Sequence, residues 1–163
     1  MLLANPRLLN LLVFLGCATL LAVGLYLEHV EGLEPCPLCV VQRVAFVAVG
    51  LVALIAALHG PQRGGRRVYA GLTLLFAAGG AATAGRQIWL QTLPPDQLPA
   101  CLPSLDYMLE ALPFQDILRL LLHGTADCAE VTWSLLGLSI PEWSLLAFAA
   151  CGAVALFQGL RRD

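Results

Sequence analysis

Two cysteines in Glu34-Pro35-Cys36-Pro37-Leu38-Cys39, and two more at Cys101 and Cys128, are the residues whose type and spacing carry the most chemistry in this chain. A C-x-x-C disulfide closes a very short loop and constrains the unfolded chain little, so its usual value is redox exchange rather than stapling. Pro37 suits the first position of a helix, where its missing N–H is not needed. Cys39 then falls in the first helical turn, where unpaired N–H groups and the positive end of the helix dipole favour a thiolate. Arg43 follows four residues later, on the same helical face and about one turn away. A fixed cation there can hold the thiolate charge and polarise a carbonyl oxygen of a lipid-soluble ligand. Its plainer reading is an anchor between a helix end and lipid head groups. Cys101 and Cys128 bracket a Pro-rich stretch. A disulfide between them is a loop staple, or a relay to the C-x-x-C pair by thiol exchange if the loop brings the sulfurs together.

The elements that position these cysteines are apolar. Of 163 residues, 59% are hydrophobic and 12% charged, with a mean hydropathy of +0.80. So few charges cannot cover a water-soluble surface, and the natural solvent is lipid. The length suits one membrane domain over residues 1–163. A net charge of −2 without any Lys/Arg-rich run excludes nucleic acid as a partner. Apolar runs predict four spans at about residues 8–27, 40–58, 69–90 and 143–160. The first is longer than the core of a cleaved signal peptide and ends in Tyr-Leu-Glu-His, so it is expected to remain as a span. Arg43 lies near the end of the second span. The third carries Arg86 and Gln87 near its outer end and has Gly79, Gly80, Ala81, Ala82 and Ala84 for close helix packing.

Arg7, Arg63, Arg66, Arg67, Arg161 and Arg162 flank the spans on the side of the termini, whereas the opposite loops hold only Arg119. The positive-inside rule therefore predicts cytoplasmic termini and, on the opposite side, loops at about 28–39 and 91–142. The longer loop is too rich in prolines and acids to cross a membrane. Within it, residues 105–123 show an approximately helical apolar pattern, predicting a short amphipathic helix broken at Pro113. That helix lies either on the membrane surface or on the protein's own outer face. All four cysteines named first fall on the non-cytoplasmic side, which in a bacterial-type membrane is oxidising and favours disulfides. Cys17 and Cys151 fall mid-span and read as packing residues. His29, His59 and His123 show no ligand spacing with one another.

Pro35-Cys36-Pro37-Leu38-Cys39 followed by Gln42-Arg43, then Asp127-Cys128-Ala129-Glu130, and Pro141-Glu142-Trp143 opening the last span, together resemble the disulfide bond formation protein B (DsbB) family over nearly the whole chain. The resemblance implies an all-α, four-helix bundle of the bacterial inner membrane, with its active site on the periplasmic side. It implies a quinone-dependent thiol oxidase that reoxidises a DsbA-like, thioredoxin-fold dithiol protein, with ubiquinone or menaquinone as cofactor. Carried over residue by residue, Cys101 is the position attacked by the partner's thiolate and Cys128 is its resolving mate. Cys36 and Cys39 accept the electrons; Cys39 faces the quinone, and Arg43 helps bind and activate it. Some members have an acidic residue before this arginine where the present chain has Gln42, so no role for an acid is carried over.

Three other readings fit part of the pattern. Cys36, Cys39, Cys101 and Cys128 could form an all-thiolate zinc site, although the second pair lacks the C-x-x-C spacing. The chain could be a four-helix scaffold whose disulfides only stabilise the outer loop. A vitamin K epoxide reductase-like protein shares the chemistry, but its C-x-x-C is expected near the last span, not before the second.

Overall fold

The computed structural model describes residues 5–33, 35–98, 113, 115–116, 122, 124–131 and 133–161, with the side chains of residues 63 and 95 left out. Four helices dominate: α1 (Pro6–His29), α2 (Pro37–His59), α3 (Arg63–Gln91) and α4 (Ile140–Leu160). All four are long and apolar enough to cross a membrane, making this a multi-pass membrane protein. They extend past the apolar runs because a helix continues until its backbone is capped, whereas hydropathy marks only the part that meets hydrocarbon. Asn5 Oδ1 accepts the N–H of Arg7 at 3.1 Å ahead of Pro6. The first turn of α3 takes in Gly64, Gly65 and Arg66, ahead of the apolar run that begins at Tyr69. At α4, Ser139 and Glu142 form a capping box around Pro141.

Neighbouring helices run in opposite directions, with α1 packed on α2, α2 on α3 and α3 on α4. Helices α1 and α4 hardly meet. They are tied by Gln158 Nε2, which donates to Asn10 Oδ1 at 3.0 Å near the end that holds both termini. The core comprises Cys17, Phe46, Val49, Ala77 and Phe148. Phe46 and Phe148 stack with centroids 4.0 Å apart, an arrangement that adds about 0.5–1.5 kcal/mol beyond burial. Gly80 makes room for it: a Cβ there would lie 2.3 Å from the Phe148 ring. Of the small residues singled out in the third span, Gly80 and Ala84 are buried and Ala81 packs against the core. Gly79 and Ala82 face outward, because a helix in a bundle buries only one face.

At the opposite end the chain returns over the helix ends. Gly124, at φ +76°, lies so close to Leu90 and Leu38 that an added Cβ would be 2.6 Å and 2.9 Å from their side chains. A 3₁₀ turn at Ala126–Ala129 follows. Then comes a hairpin of β1 (Ser134–Leu135) and β2 (Leu138–Ser139), antiparallel with Leu135 opposite Leu138. Its two-residue turn, Leu136-Gly137, has positive φ at both positions, which matches the twist of the strands. The amphipathic helix expected at 105–123 lies outside the described residues, apart from residues 113, 115–116 and 122.

Candidate functional site

Helix α2 begins where the sequence places it. Pro37 is its first residue and Cys36 its N-cap, in extended backbone (φ −65°, ψ 160°). The Cys36 Sγ accepts the N–H of Cys39 at 3.3 Å, and the two sulfurs are 2.7 Å apart. A sulfur thus fills the role that a Ser or Asp oxygen normally plays in satisfying an orphan N–H. Cys36 is buried, whereas Cys39 is half-buried and lines a cavity.

The segment fixed by Gly124 delivers Cys128 to the same place. Cys36, Leu38, Leu90 and Cys128 form one buried cluster, with Cys39 packed against it. The Cys128 thiol packs beside that of Cys36, and its sulfur lies 3.7 Å from the Thr125 hydroxyl. The hydrogen bond from Cys36 holds the Cys128 thiol well below its ordinary range, at about 6, against the opposing effect of burial. The Cys36 thiol is pushed up by its hydrogen bonds to Cys128 and Cys39 and by burial. The two shifts are opposite, so in the reduced cluster Cys128 gives up its proton more readily than Cys36. A low-pKa sulfur both attacks and leaves readily in thiol exchange.

Arg43 is held against α1: Nη2 donates to the Gly24 carbonyl at 3.0 Å, and Nη1 pairs with the Glu28 carboxylate. The arginine is thus a positioned charge one turn below Cys39, not a side chain stretched toward head groups. Helix α3 adds Gln87, whose Nε2 lies 3.3 Å from Cys36 Sγ and 3.4 Å from Cys39 Sγ. Gln42 Nε2 donates to Gln87 Oε1 at 2.8 Å. Cys39, Arg43 and Gln87 face a cavity of about 310 Å³ whose other walls include Leu20, Leu27, Phe46 and Trp143. It lies where α1 and α4 stand apart, with Asp127 and Glu130 also in its wall.

The structure thus brings together Cys36, Cys39, Cys128 and Arg43; Cys101 lies outside the described residues. Among the described residues, no group of three or more His, Cys, Asp or Glu side chains is arranged to hold a metal ion. Sequence reasoning missed Gln87 and Glu28 as parts of the site. The signal for Gln87 was a primary amide inside an apolar span, which calls for a buried partner. Glu28, one acid among several beyond the first span, gave no comparable sign.

Residues 6–158 match the model of the family described as disulfide bond formation protein DsbB. Disulfide bond formation protein B of Stutzerimonas stutzeri (strain A1501) is 65% identical over 161 residues, covering 99% of each chain. Disulfide bond formation protein B 1 of Pseudomonas aeruginosa (strain PAO1) is 62% identical over 160 residues, 98% of each. Disulfide bond formation protein B of Marinobacter nauticus is 60% identical over 152 residues, 93% of this chain and 90% of its own.

Proposed function

The chain belongs to the DsbB family of disulfide bond formation proteins, and on that premise we propose that it reoxidises a DsbA-like periplasmic dithiol protein and passes the electrons to a membrane quinone. Its place is the bacterial inner membrane, with the cysteine end periplasmic. This sidedness follows from the arginines that gather at the end holding the termini.

The observation that carries the reading is the contact between Cys128 and Cys36, which joins the two cysteine pairs. The partner's thiolate attacks Cys101 of a Cys101–Cys128 disulfide, and Cys128 leaves as a thiolate. The partner's second thiol then displaces Cys101, so the partner departs as a disulfide. The Cys128 thiolate next attacks Cys36 of a Cys36–Cys39 disulfide, and Cys39 leaves as a thiolate. Attack of Cys101 on Cys128 releases Cys36, which restores the loop disulfide and leaves Cys36 and Cys39 reduced. Each exchange forms one S–S bond and breaks one, so a single electron pair moves inward.

A quinone, when bound, supplies the final electron acceptor. The residues present suit one: an apolar cavity open between two helices admits a lipid-soluble molecule from the side, and Arg43 and Cys39 offer its head a cation and a sulfur. Arg43 would hold a carbonyl oxygen and also the Cys39 charge. Ubiquinone and menaquinone share the chemistry this site recognises.

The test is the loss of quinone absorbance when purified protein, ubiquinone or a menaquinone analogue, and a reduced DsbA-like dithiol protein are mixed. Quinone reduction that disappears in Cys39→Ser is the expected result. Failure of folded wild-type protein with both quinones would overturn the proposal.

A further inference from the structure

Two buried amides inside the membrane spans have no part in that scheme. Gln42 of α2 and Gln87 of α3 are 3% and 4% exposed, although a primary amide in an apolar interior is destabilising unless its groups are hydrogen-bonded. Their hydrogen bonds have a direction. An amide carries two N–H donors at one end and an acceptor at the other, and its two ends have nearly the same shape. Gln42 Nε2 donates to Gln87 Oε1, so the NH₂ end of Gln87 faces the sulfurs, 3.3 Å from Cys36 and 3.4 Å from Cys39. The Oε1 of Gln87 is also 3.7 Å from Cys39 Sγ, a long contact that an S–H can donate into when the thiol is protonated.

The three states of the sulfurs respond differently to such a donor. A disulfide sulfur is a weak acceptor and a thiol only slightly better, whereas hydrogen bonds to an ionised acceptor are roughly twice as strong as neutral ones. A fixed pair of N–H groups therefore favours the reduced, thiolate-bearing pair over the disulfide.

We infer that Gln87 is a positioning residue for the C-x-x-C pair: its amide, turned by Gln42, donates to both Cys36 and Cys39 and raises the pair's tendency to accept electrons. This role presupposes the redox role proposed for the same pair. It adds a division of labour, in which Gln87 supplies hydrogen bonds to the two sulfurs while Arg43 supplies a fixed charge one turn away. It also assigns a function to the α2–α3 contact, since the donor and its orienting partner come from different helices.

The experiment measures the reduction potential of the Cys36–Cys39 pair in the full chain, in lipid nanodiscs, at fixed pH. Cys101 and Cys128 are replaced by Ser so that one outer pair titrates. The protein is equilibrated in dithiothreitol redox buffers without quinone or partner, and the disulfide fraction is read by mass spectrometry of the alkylated peptide holding residues 36 and 39. Gln87→Met keeps the length and removes the donors. It should lower the equilibrium constant for reduction about tenfold, equivalent to about 30 mV more negative for this two-electron couple. Gln42→Met, which leaves Gln87 in place but frees it to rotate, should shift the constant in the same direction by about threefold, a part of that tenfold. Gln87→Glu, placing a carboxylate against the sulfurs, should exceed the Gln87→Met effect. A Gln87→Met equilibrium constant within twofold of the parent's, at unchanged helix content and melting temperature, overturns the inference. A shift in Gln87→Met without one in Gln42→Met overturns the part given to Gln42. If Gln87→Met does not fold, Gln42→Met decides, and an unchanged potential there counts against the inference. Because no quinone or partner is present, failure of the wild-type oxidase assay leaves this result intact.

Discussion

The molecule holds two groups of touching cysteines, and burial does not separate them. Cys17 of α1 and Cys151 of α4 share one apolar cluster in the middle of the bundle, and Cys17 is 2% exposed. At the bundle end Cys36 touches both Cys39 and Cys128, and Cys128 is 0% exposed. What differs is the company. Cys17 packs on Phe46, Val49, Ala77 and Phe148, which offer no donor to a thiolate. The end group has the start of a helix, an amide from α3, a threonine hydroxyl of the returning loop, and an arginine one turn away. On the proposed function, what sets the end group apart is the donors around its sulfurs, not sulfur proximity or depth.

The sharpest way to break that comparison is to remove sulfurs from each group in turn. Cys39→Ser should lower quinone reduction by at least about a thousandfold, as expected when a reacting group is lost. The Cys17→Ala/Cys151→Ala double variant should keep the rate within about twofold, since only apolar packing changes. A large loss in the double variant would give the mid-membrane pair a role in electron transfer.

Next in size are the charges. Arg43→Ala should reduce kcat/KM for quinone by about a hundredfold, the usual scale for losing a positioned electrostatic group. Glu28→Gln should cost about tenfold, because the Gly24 carbonyl still holds the guanidinium. Equal effects in the two variants would make Glu28 more than a support.

Smaller again is the loop that delivers Cys128. Gly124→Ala meets both a positive φ and the side chains of Leu90 and Leu38, so docking should weaken by about 1–3 kcal/mol. The measurement is the yield of a Cys36–Cys128 crosslink on mild oxidation, which should fall while the Cys17–Cys151 region is unchanged. Gly80→Ala should do the reverse: it strains the Phe148 stack and lowers the melting temperature without touching the crosslink.

The finest distinction is in pH. The folded Cys128 thiol is depressed from its ordinary value of 9.0 to about 6, so its contribution to loop docking is full above pH 9 and is lost as pH falls through about 6. The difference in thiolate ultraviolet absorbance between reduced Cys39→Ser and Cys39→Ser/Cys128→Ser proteins should titrate near 6. Adding Cys36→Ser should move that midpoint back up, because the first cause of the depression is then removed.

Much of this was legible in the residues. Apolar runs located the four helices, and Pro37 marked the start of α2, because both depend on local chemistry that the sequence carries directly. The meeting of Cys128 with Cys36 was not legible. It depends on a left-handed turn at Gly124 and on two leucines from different helices that leave just enough space for it. The Gln42–Gln87 bond was half legible: each amide stood out in its span, but the register of α2 against α3, which pairs them, comes from interhelix packing rather than from either segment alone.

One local detail ties the architecture of α2 to its redox state. Among the described residues, the side chain capping its first turn is the Cys36 sulfur, which accepts the Cys39 N–H. An Asp or Ser cap has a constant chemical identity through an enzyme's cycle; here the capping atom is also a bonding partner that changes hands. In the proposed exchange Cys36 becomes joined to Cys128, and its sulfur should then be drawn toward the loop and leave the Cys39 amide without its acceptor. Deuterium uptake at that single amide is then a gauge of which disulfide the protein holds, a clock hand built into the helix itself.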